Sequence, residues 1–320
     1  KGKAIAVVTI AGEIGDGKEG PGTAGGERIV GLLDDALDKD IAALVVRVDS
    51  PGGSVFGSER IREAIGRHKA KGRPVVVSMG NVAASGGYWV ATPASRIFAE
   101  PGTVTGSIGV FAFIPTFERT LADLGVTTDG VKTTPLSGQP DLLGGLSPEV
   151  SAMMQANIEQ TYGRFVGLVA KARGKSWQQV DVIAQGRVWD GGAARQVGLV
   201  DRFGGLDEAL QEAATLAKLG KGEWHAAYLG ESGDGLAALL ARMRPDEDAA
   251  PPARASDLAG MIALRERALA ARALDQARRL LGAQGAQARC LECPAPLAGT
   301  DLRTDDPGLL LLAGRALGLM

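Results

Sequence analysis

Strand-like, β-branched runs that alternate with helical patterns constrain this chain more than any single motif does. The runs fall at residues 5–10, 43–48, 75–78, 96–99 and 126–131. Between the first two, residues 27–37 carry apolar side chains at Ile29, Leu32, Leu33 and Leu37; between the next two, residues 58–68 carry Ile61, Ala64 and Ile65. These spacings follow the helical period, so each crossover has room for a helix. Strands joined in this way lie parallel in one sheet with helices packed over it. The expected fold is α/β, a parallel sheet with covering helices.

Beyond Leu146 the texture turns helical. Ser147-Pro-Glu-Val opens with a capping residue, a proline suited to the first turn and an acid, and it predicts a helix running to about Arg173. Helical segments follow at 176–184, 191–196 and 206–219, with Arg187-Val-Trp189 among them. From about Glu231 the composition shifts: residues 245–252, rich in proline and acid, read as a hinge, and an Ala-, Arg- and Leu-rich helix is expected over about 255–281. Residues 1–230 are thus expected to form the main domain, and 231–320 a linker and C-terminal helical arm that packs on it or binds a partner.

At 320 residues and 45% hydrophobic content the chain can fill a sizeable core. A net charge of −2, with no basic stretch interleaved with aromatics, argues against nucleic acid as a partner. The longest apolar stretch, residues 309–313, is far short of the roughly 20 residues that span a bilayer, and no signal peptide opens the sequence. Lys1 leads within three residues into the first strand, without Met, so the sequence reads as a piece cut from something longer. Cys290 and Cys293 stand as C-x-x-C with no second pair or histidine to complete a zinc site. A local disulfide or two plain thiols is the expectation, and no metal or cofactor is implied.

Two Gly-rich stretches carry the candidate chemistry. Asn81-Val-Ala-Ala-Ser85-Gly-Gly-Tyr-Trp89 follows a strand and opens an apolar run. A serine at such a turn points its hydroxyl outward, and the first amides of the next helix are free to hold an anion. The same pattern also suits a glycine-rich helix start packed tightly on a sheet. Val48-Asp-Ser-Pro-Gly-Gly53-Ser-Val55 stands where the second strand ends; its glycines could turn N–H groups toward an oxyanion, or form an ordinary Pro-Gly turn. In an open parallel sheet the carboxyl ends of neighbouring strands face one crevice, so Ser85 and the glycine loop can meet there.

A base for Ser85 is harder to find. His68 lies in a charged helix end that reads as solvated, and His225 is far along the chain; Asp49 reads as a residue that brackets the glycine loop. Lysine remains, provided burial lowers its pKa from about 10.4 to about 7, which costs roughly 4 to 5 kcal/mol. Lys69, Lys71, Lys171 and Lys175 sit in charged, solvating surroundings.

Together with Gly102-Thr-Val-Thr-Gly-Ser-Ile-Gly-Val110, Leu124-Gly-Val-Thr-Thr-Asp-Gly-Val131, Ala184-Gln-Gly-Arg-Val-Trp189 and Gly198-Leu-Val-Asp201, these stretches resemble the signal peptide peptidase A family over about residues 4–215. The resemblance implies a Clp-protease/crotonase type of fold, a serine-lysine peptidase, and cleavage of remnant signal peptides. It implies Ser85 as nucleophile, and the Gly53 and Gly86 amides as the oxyanion hole. In short members the lysine follows the strand matching residues 126–131, a few residues beyond Lys132; here Ser137 takes that place. In long, two-domain members the carboxyl-terminal half carries the serine, while the amino-terminal half supplies the lysine and the membrane anchor. This chain resembles that serine-bearing half, with Lys132 as the weaker candidate base within it. Homo-oligomeric assembly and the extracytoplasmic face of a bacterial inner membrane are implied in the same way. A catalytically silent assembly module and a crotonase-like acyl-CoA enzyme are the alternatives.

Overall fold

The computed structural model describes residues 2–19, 22–114, 116–134 and 136–230, together with the backbone of residues 287–289. The expected helix at 255–281 and the Cys290/Cys293 pair lie outside the described residues. The main sheet is built on β1 (Lys3–Ala11), β4 (Ile41–Ser50), β6 (Val75–Ala84) and β7 (Arg96–Ala99). With β10 (Arg202–Phe203) and β11 (Trp224–Tyr228) the order is β10-β7-β6-β4-β1-β11, every neighbouring pair parallel. This is the α/β parallel sheet with covering helices that the alternating pattern predicts.

Its strands are apolar on consecutive residues because helices cover both faces. Ala6, Val8 and Ile10 of β1 pack with Leu44, Val46 and Val48 of β4 against α1 (Gly26–Leu37) and α2 (Val55–Ala70). The intervening Ile5, Val7, Ala43 and Val45 face the other way, onto Ala209, Leu210, Ala213 and Ala214 of α8 (Leu206–Leu216). A one-residue slip of either strand would exchange the two faces, so the register is strongly fixed.

Two strands run further than the β-branched runs do. Past Met79, β6 continues through Val82–Ala84 by pairing with β8 (Val104–Gly106), which in turn pairs antiparallel with β9 (Val188–Asp190). The register between β4 and β6 shifts between Val48 and Ser50, and there Asp49 accepts a hydrogen bond from the Val82 amide at 3.0 Å. Asp49 thus patches the ladder, as its position beside the loop suggests. A second, small sheet has the order β12-β5-β2-β3, from β2 (Glu13–Gly15), β3 (Thr23–Gly25), β5 (Gly52–Ser54) and β12 (Gln287–Arg289).

The long helix α5 (Pro148–Arg173) begins at the Ser147 cap and ends at Gly174, whose φ of 62° suits glycine. Its carboxyl half buries Phe165, Val166 and Val169 in the core. Helix α6 (Trp177–Ile183) starts with a capping box between Ser176 and Gln179.

The structure corrects two expectations. Residues 126–131 form no strand: the slot beside β7 is filled by β10, and among the described residues Val126 is exposed and Val131 fully so. The preceding residues form a short helix, α4 (Glu118–Asp123). His68 is not solvated but fully buried, with Nε2 2.9 Å from the Leu33 carbonyl. A carbonyl only accepts, so Nε2 carries the proton and Nδ1 faces the Arg73 guanidinium at 3.4 Å. Burial holds the His68 pKa below its usual value, a shift that the Leu33 hydrogen bond opposes.

Candidate active site

Ser85 is the hinge residue between β6 and the short helix α3 (Gly86–Ala91). Its φ of 55° and ψ of −117° are those of the first central residue of a type II′ turn, a conformation that costs a non-glycine residue on the order of 1–3 kcal/mol. Three main-chain hydrogen bonds hold it. The Ser85 amide donates to Gly106 O of β8 at 2.9 Å, while its carbonyl accepts from the Tyr88 and Trp89 amides, both at 2.9 Å. Below it the turn is anchored by two fully buried aromatics: Tyr88 donates to Leu199 O at 2.7 Å, and Trp89 packs at a tilt against Phe165, their ring centroids 4.5 Å apart.

The Ser85 side chain is fully buried, and its Oγ has no hydrogen-bond partner among the described residues. A buried hydroxyl left unpaired typically costs about 1–3 kcal/mol. A strained backbone and an unpaired hydroxyl at one residue together make Ser85 the candidate functional residue, because a packing role calls for neither.

The glycine loop lies against this turn. A Cβ added to Gly86 would sit 3.1 Å from Gly52 Cα and 3.2 Å from Gly53 N, so the glycine loop closes directly on this turn. A Cβ on Gly87 would fall 2.6 Å from Ser50 O. Gly53, at φ 150°, would drive a Cβ to 2.2 Å from Ile14 O. Both sequence-predicted donors, Gly53 and Gly86, are therefore brought beside Ser85, and glycine is required at each for steric reasons.

Residues that the sequence reading did not single out fix the loop. The Gly52 amide donates to Ser50 Oγ at 3.1 Å. Ser54 caps α2 by accepting from the Gly57 amide at 3.1 Å, and its own hydroxyl donates to the Asp16 carboxylate. Ser58 Oγ donates to Ser54 O at 2.7 Å and walls off the space beside Gly86. A serine before a helical run is an N-cap signal, so Ser54 was open to discovery; Asp16, 38 residues earlier, was not.

Lys132 is not brought to Ser85 by any described contact. It is exposed, in a coil segment beside Asp141. Ser137 serves its own turn, accepting from the Thr134 amide at 3.1 Å. Every lysine from Lys3 to Lys221 is exposed except the half-buried Lys175, which lies over Gly198 in a separate cavity of about 540 Å³ with Arg173, Arg195 and Asp201. The burial that would make a lysine a base near neutral pH is met by none of them. His225 is exposed on β11.

A second cavity, of about 400 Å³, opens next to Gly106. Ser107, Val110, Phe111, Ile158, Tyr162 and Val188 line it, a mostly apolar set. Ser107 also has a positive φ, 49°, and its amide donates to Arg187 O at 2.7 Å, which ties this wall to β9.

Residues 67–220 match the model of peptidase family S49. A Salmonella typhi protein named Protease 4 is 51% identical over 228 residues, covering 71% of this chain and 36% of that protein. A putative protease of Synechocystis is 37% identical over 217 residues, covering 68% of this chain and 76% of its own length. A putative signal peptide peptidase SppA of Enterococcus faecium is 34% identical over 182 residues, covering 57% of this chain and 53% of that protein. The chain thus spans about a third of the length of the Protease 4 relative.

Proposed function

This chain belongs to peptidase family S49, and on that footing we propose that it is the serine-bearing part of a signal peptide peptidase whose general base comes from outside residues 2–230. The observation that carries the reading is the pairing of a buried Ser85 Oγ that has no partner with the lack of any buried lysine among the described residues.

The chemistry proceeds from the geometry. Ser85 Oγ attacks the scissile carbonyl, and its proton passes to a neutral lysine amine. The Gly86 and Gly53 amides hold the oxyanion, a contribution of about 2.7 to 4 kcal/mol for each such donor in other acyl-transfer enzymes. Collapse expels the amine, which takes the proton back from the lysine, and water then releases the acyl group from Ser85. A lysine delivered into an enclosed site by a second segment loses its hydration there, and that lowers its pKa. A catalytic base delivered by assembly leaves the isolated chain silent.

Substrates of apolar character suit the cavity beside Gly106, and remnant signal peptides are such substrates. No helix of the described residues is long and apolar enough to cross a membrane. None of the described residues from Gly109 to Glu149 is buried, although Phe113, Phe117, Leu124, Val126, Leu142 and Leu143 are apolar. That stretch suits burial against other copies in an oligomer.

The test is hydrolysis of an apolar signal peptide by a protein containing this chain and its upstream half, compared with Ser85→Ala. Cleavage lost on substitution is expected. Peptide cleavage that survives Ser85→Ala would refute the nucleophile, and acyl-CoA turnover that survives it would point to a crotonase-like enzyme.

A further inference from the structure

We propose that the cavity of about 540 Å³ between the end of α5, α7 (Gly191–Gln196) and β10 is a phosphate-binding site, in which Lys175 and Arg195 hold the anion. The site is built without Ser85 or the glycine loop, so it stands or falls independently of the peptidase reading above.

Arg173, Lys175, Arg195 and Asp201 are the charged side chains that line this space. Arg173 is fully engaged. Its terminal nitrogens donate to the Asp201 carboxylate at 2.6 and 3.0 Å and its Nε donates to Gly198 O at 2.8 Å, while Asp201 also accepts from the Ile97 amide. That pair neutralises itself and builds the wall. Lys175 and Arg195 are left as two positive charges on the cavity, with no ion pair and no side-chain hydrogen bond among the described residues.

Both cations are held in place by their surroundings. Lys175 lies across Gly198: a Cβ there would fall 3.0 Å from Lys175 Cε and 3.2 Å from Nζ, and Gly198 has a φ of 84° that itself favours glycine. Arg195 sits over the Phe203 ring, its Cζ 4.9 Å from the centroid, an attraction that positions the guanidinium while leaving its N–H donors free. Each cation alone would suit the carboxyl end of a neighbouring helix. That does not explain why both line one cavity, where like charges repel. An anion between them resolves the repulsion, and a phosphoryl group offers several acceptor oxygens to the lysine ammonium and to the arginine fork. Val200 and Phe203 add an apolar patch to the wall, which suits the carbon-bearing side of a phosphate ester. The ligand chemistry is therefore a phosphoryl group, carried by a lipid headgroup or free.

The experiment is a calorimetric titration of the full-length protein at low ionic strength, where charge interactions are least screened. Inorganic phosphate is one probe, and dihexanoylphosphatidylglycerol, a lipid soluble enough to be used without vesicles, is the other. Saturable binding is expected, with Kd raised about tenfold by Lys175→Gln or by Arg195→Gln, the size of one hydrogen bond to a charged group. The tighter of the two probes names the source, lipid headgroup or free phosphate. Lys171→Gln, an exposed lysine of α5 outside the cavity, should leave Kd unchanged. Thermal unfolding guards against a folding defect: each variant alone should melt with the wild type, and added phosphate should raise the Tm of the wild type but not of the Lys175→Gln/Arg195→Gln double variant. Binding of neither probe overturns the site. So does binding by the double variant as strong as by the wild type, or a loss on Lys171→Gln equal to that on Lys175→Gln, which would reduce the effect to general surface charge.

Discussion

Ser58 Oγ occupies the space that a side chain at residue 86 would need: an ideal Cβ on Gly86 falls 2.6 Å from it. Gly86→Ala must push either the Ser58 hydroxyl or the turn itself, and the Gly86 amide moves with the turn. A drop in kcat of about 10²–10³ is expected, the loss that follows removal of one oxyanion donor. Adding Ser58→Ala should recover part of it, because the 2.6 Å contact goes while Gly52 Cα, at 3.1 Å, remains. A double variant no better than Gly86→Ala would refute this steric account.

The Ser54 hydroxyl ties the end of β5 to α2, which it caps, and to Asp16 beyond β2. Ser54→Ala should lower stability by about 1 kcal/mol, as other N-cap losses do. Asp16→Ala should cost less, since the cap survives and Asp16 is exposed. Urea denaturation of the two variants measures the order, and a larger loss for Asp16→Ala would contradict it.

Much of this architecture is legible in the sequence. Four of the five strand runs, the crossover helices and the Ser147 and Ser176 caps are local patterns, and each of these emerges where its pattern lies. What escapes the sequence is non-local. The extension of β6 to Ala84 depends on β8, and the fate of residues 126–131 depends on β10 filling the slot beside β7. His68 is read as solvated from its charged neighbours, yet α1 covers it through Leu33. Ser85 and the glycine loop are visible as motifs, but Ser58 and Asp16 join the site only through tertiary contact.

Glu59 links α2, α3 and α5. It accepts from Trp89 Nε1 at 2.7 Å and from Arg62 at 2.7 Å, and Arg164 reaches it from α5. Burial alone would raise its pKa, but the bonds from Arg62 and Trp89 and the charges of Arg62 and Arg164 outweigh that and hold it below the usual value. Glu59→Leu strands the buried indole N–H, so a loss of about 1–3 kcal/mol is expected by thermal or urea unfolding. Arg164→Ala, which removes an exposed partner, should cost under about 1 kcal/mol.

Acid should destabilise the protein through Asp201 and His68. Asp201 accepts two bonds from Arg173, at 2.6 and 3.0 Å, and one from the Ile97 amide at 2.7 Å. Burial would raise its pKa, yet those partners lower it overall. A carboxylate depressed in the folded state stabilises above its unfolded pKa, about 3.9, and that contribution fades as pH falls through the folded value. His68 is also depressed, so the unfolded chain takes up a proton first, and stability falls as pH drops below about 6.5. Unfolding free energies from pH 8 to pH 3 should therefore decline in two stages. Asp201→Asn should weaken the lower stage and His68→Gln the upper; a wild-type curve flat from pH 8 to pH 5 would contradict the second assignment.

The most direct measurement is covalent labelling of Ser85 by a serine-reactive phosphonate, followed by mass spectrometry. The wild-type chain alone, the same chain combined with the amino-terminal half proposed to carry the lysine, and the Lys132→Ala chain in that combination are compared. Rapid labelling only in the combined forms, undiminished by Lys132→Ala, is the expected result. Rapid labelling of the isolated chain that disappears with Lys132→Ala would place the base within this chain and contradict a base supplied from outside it.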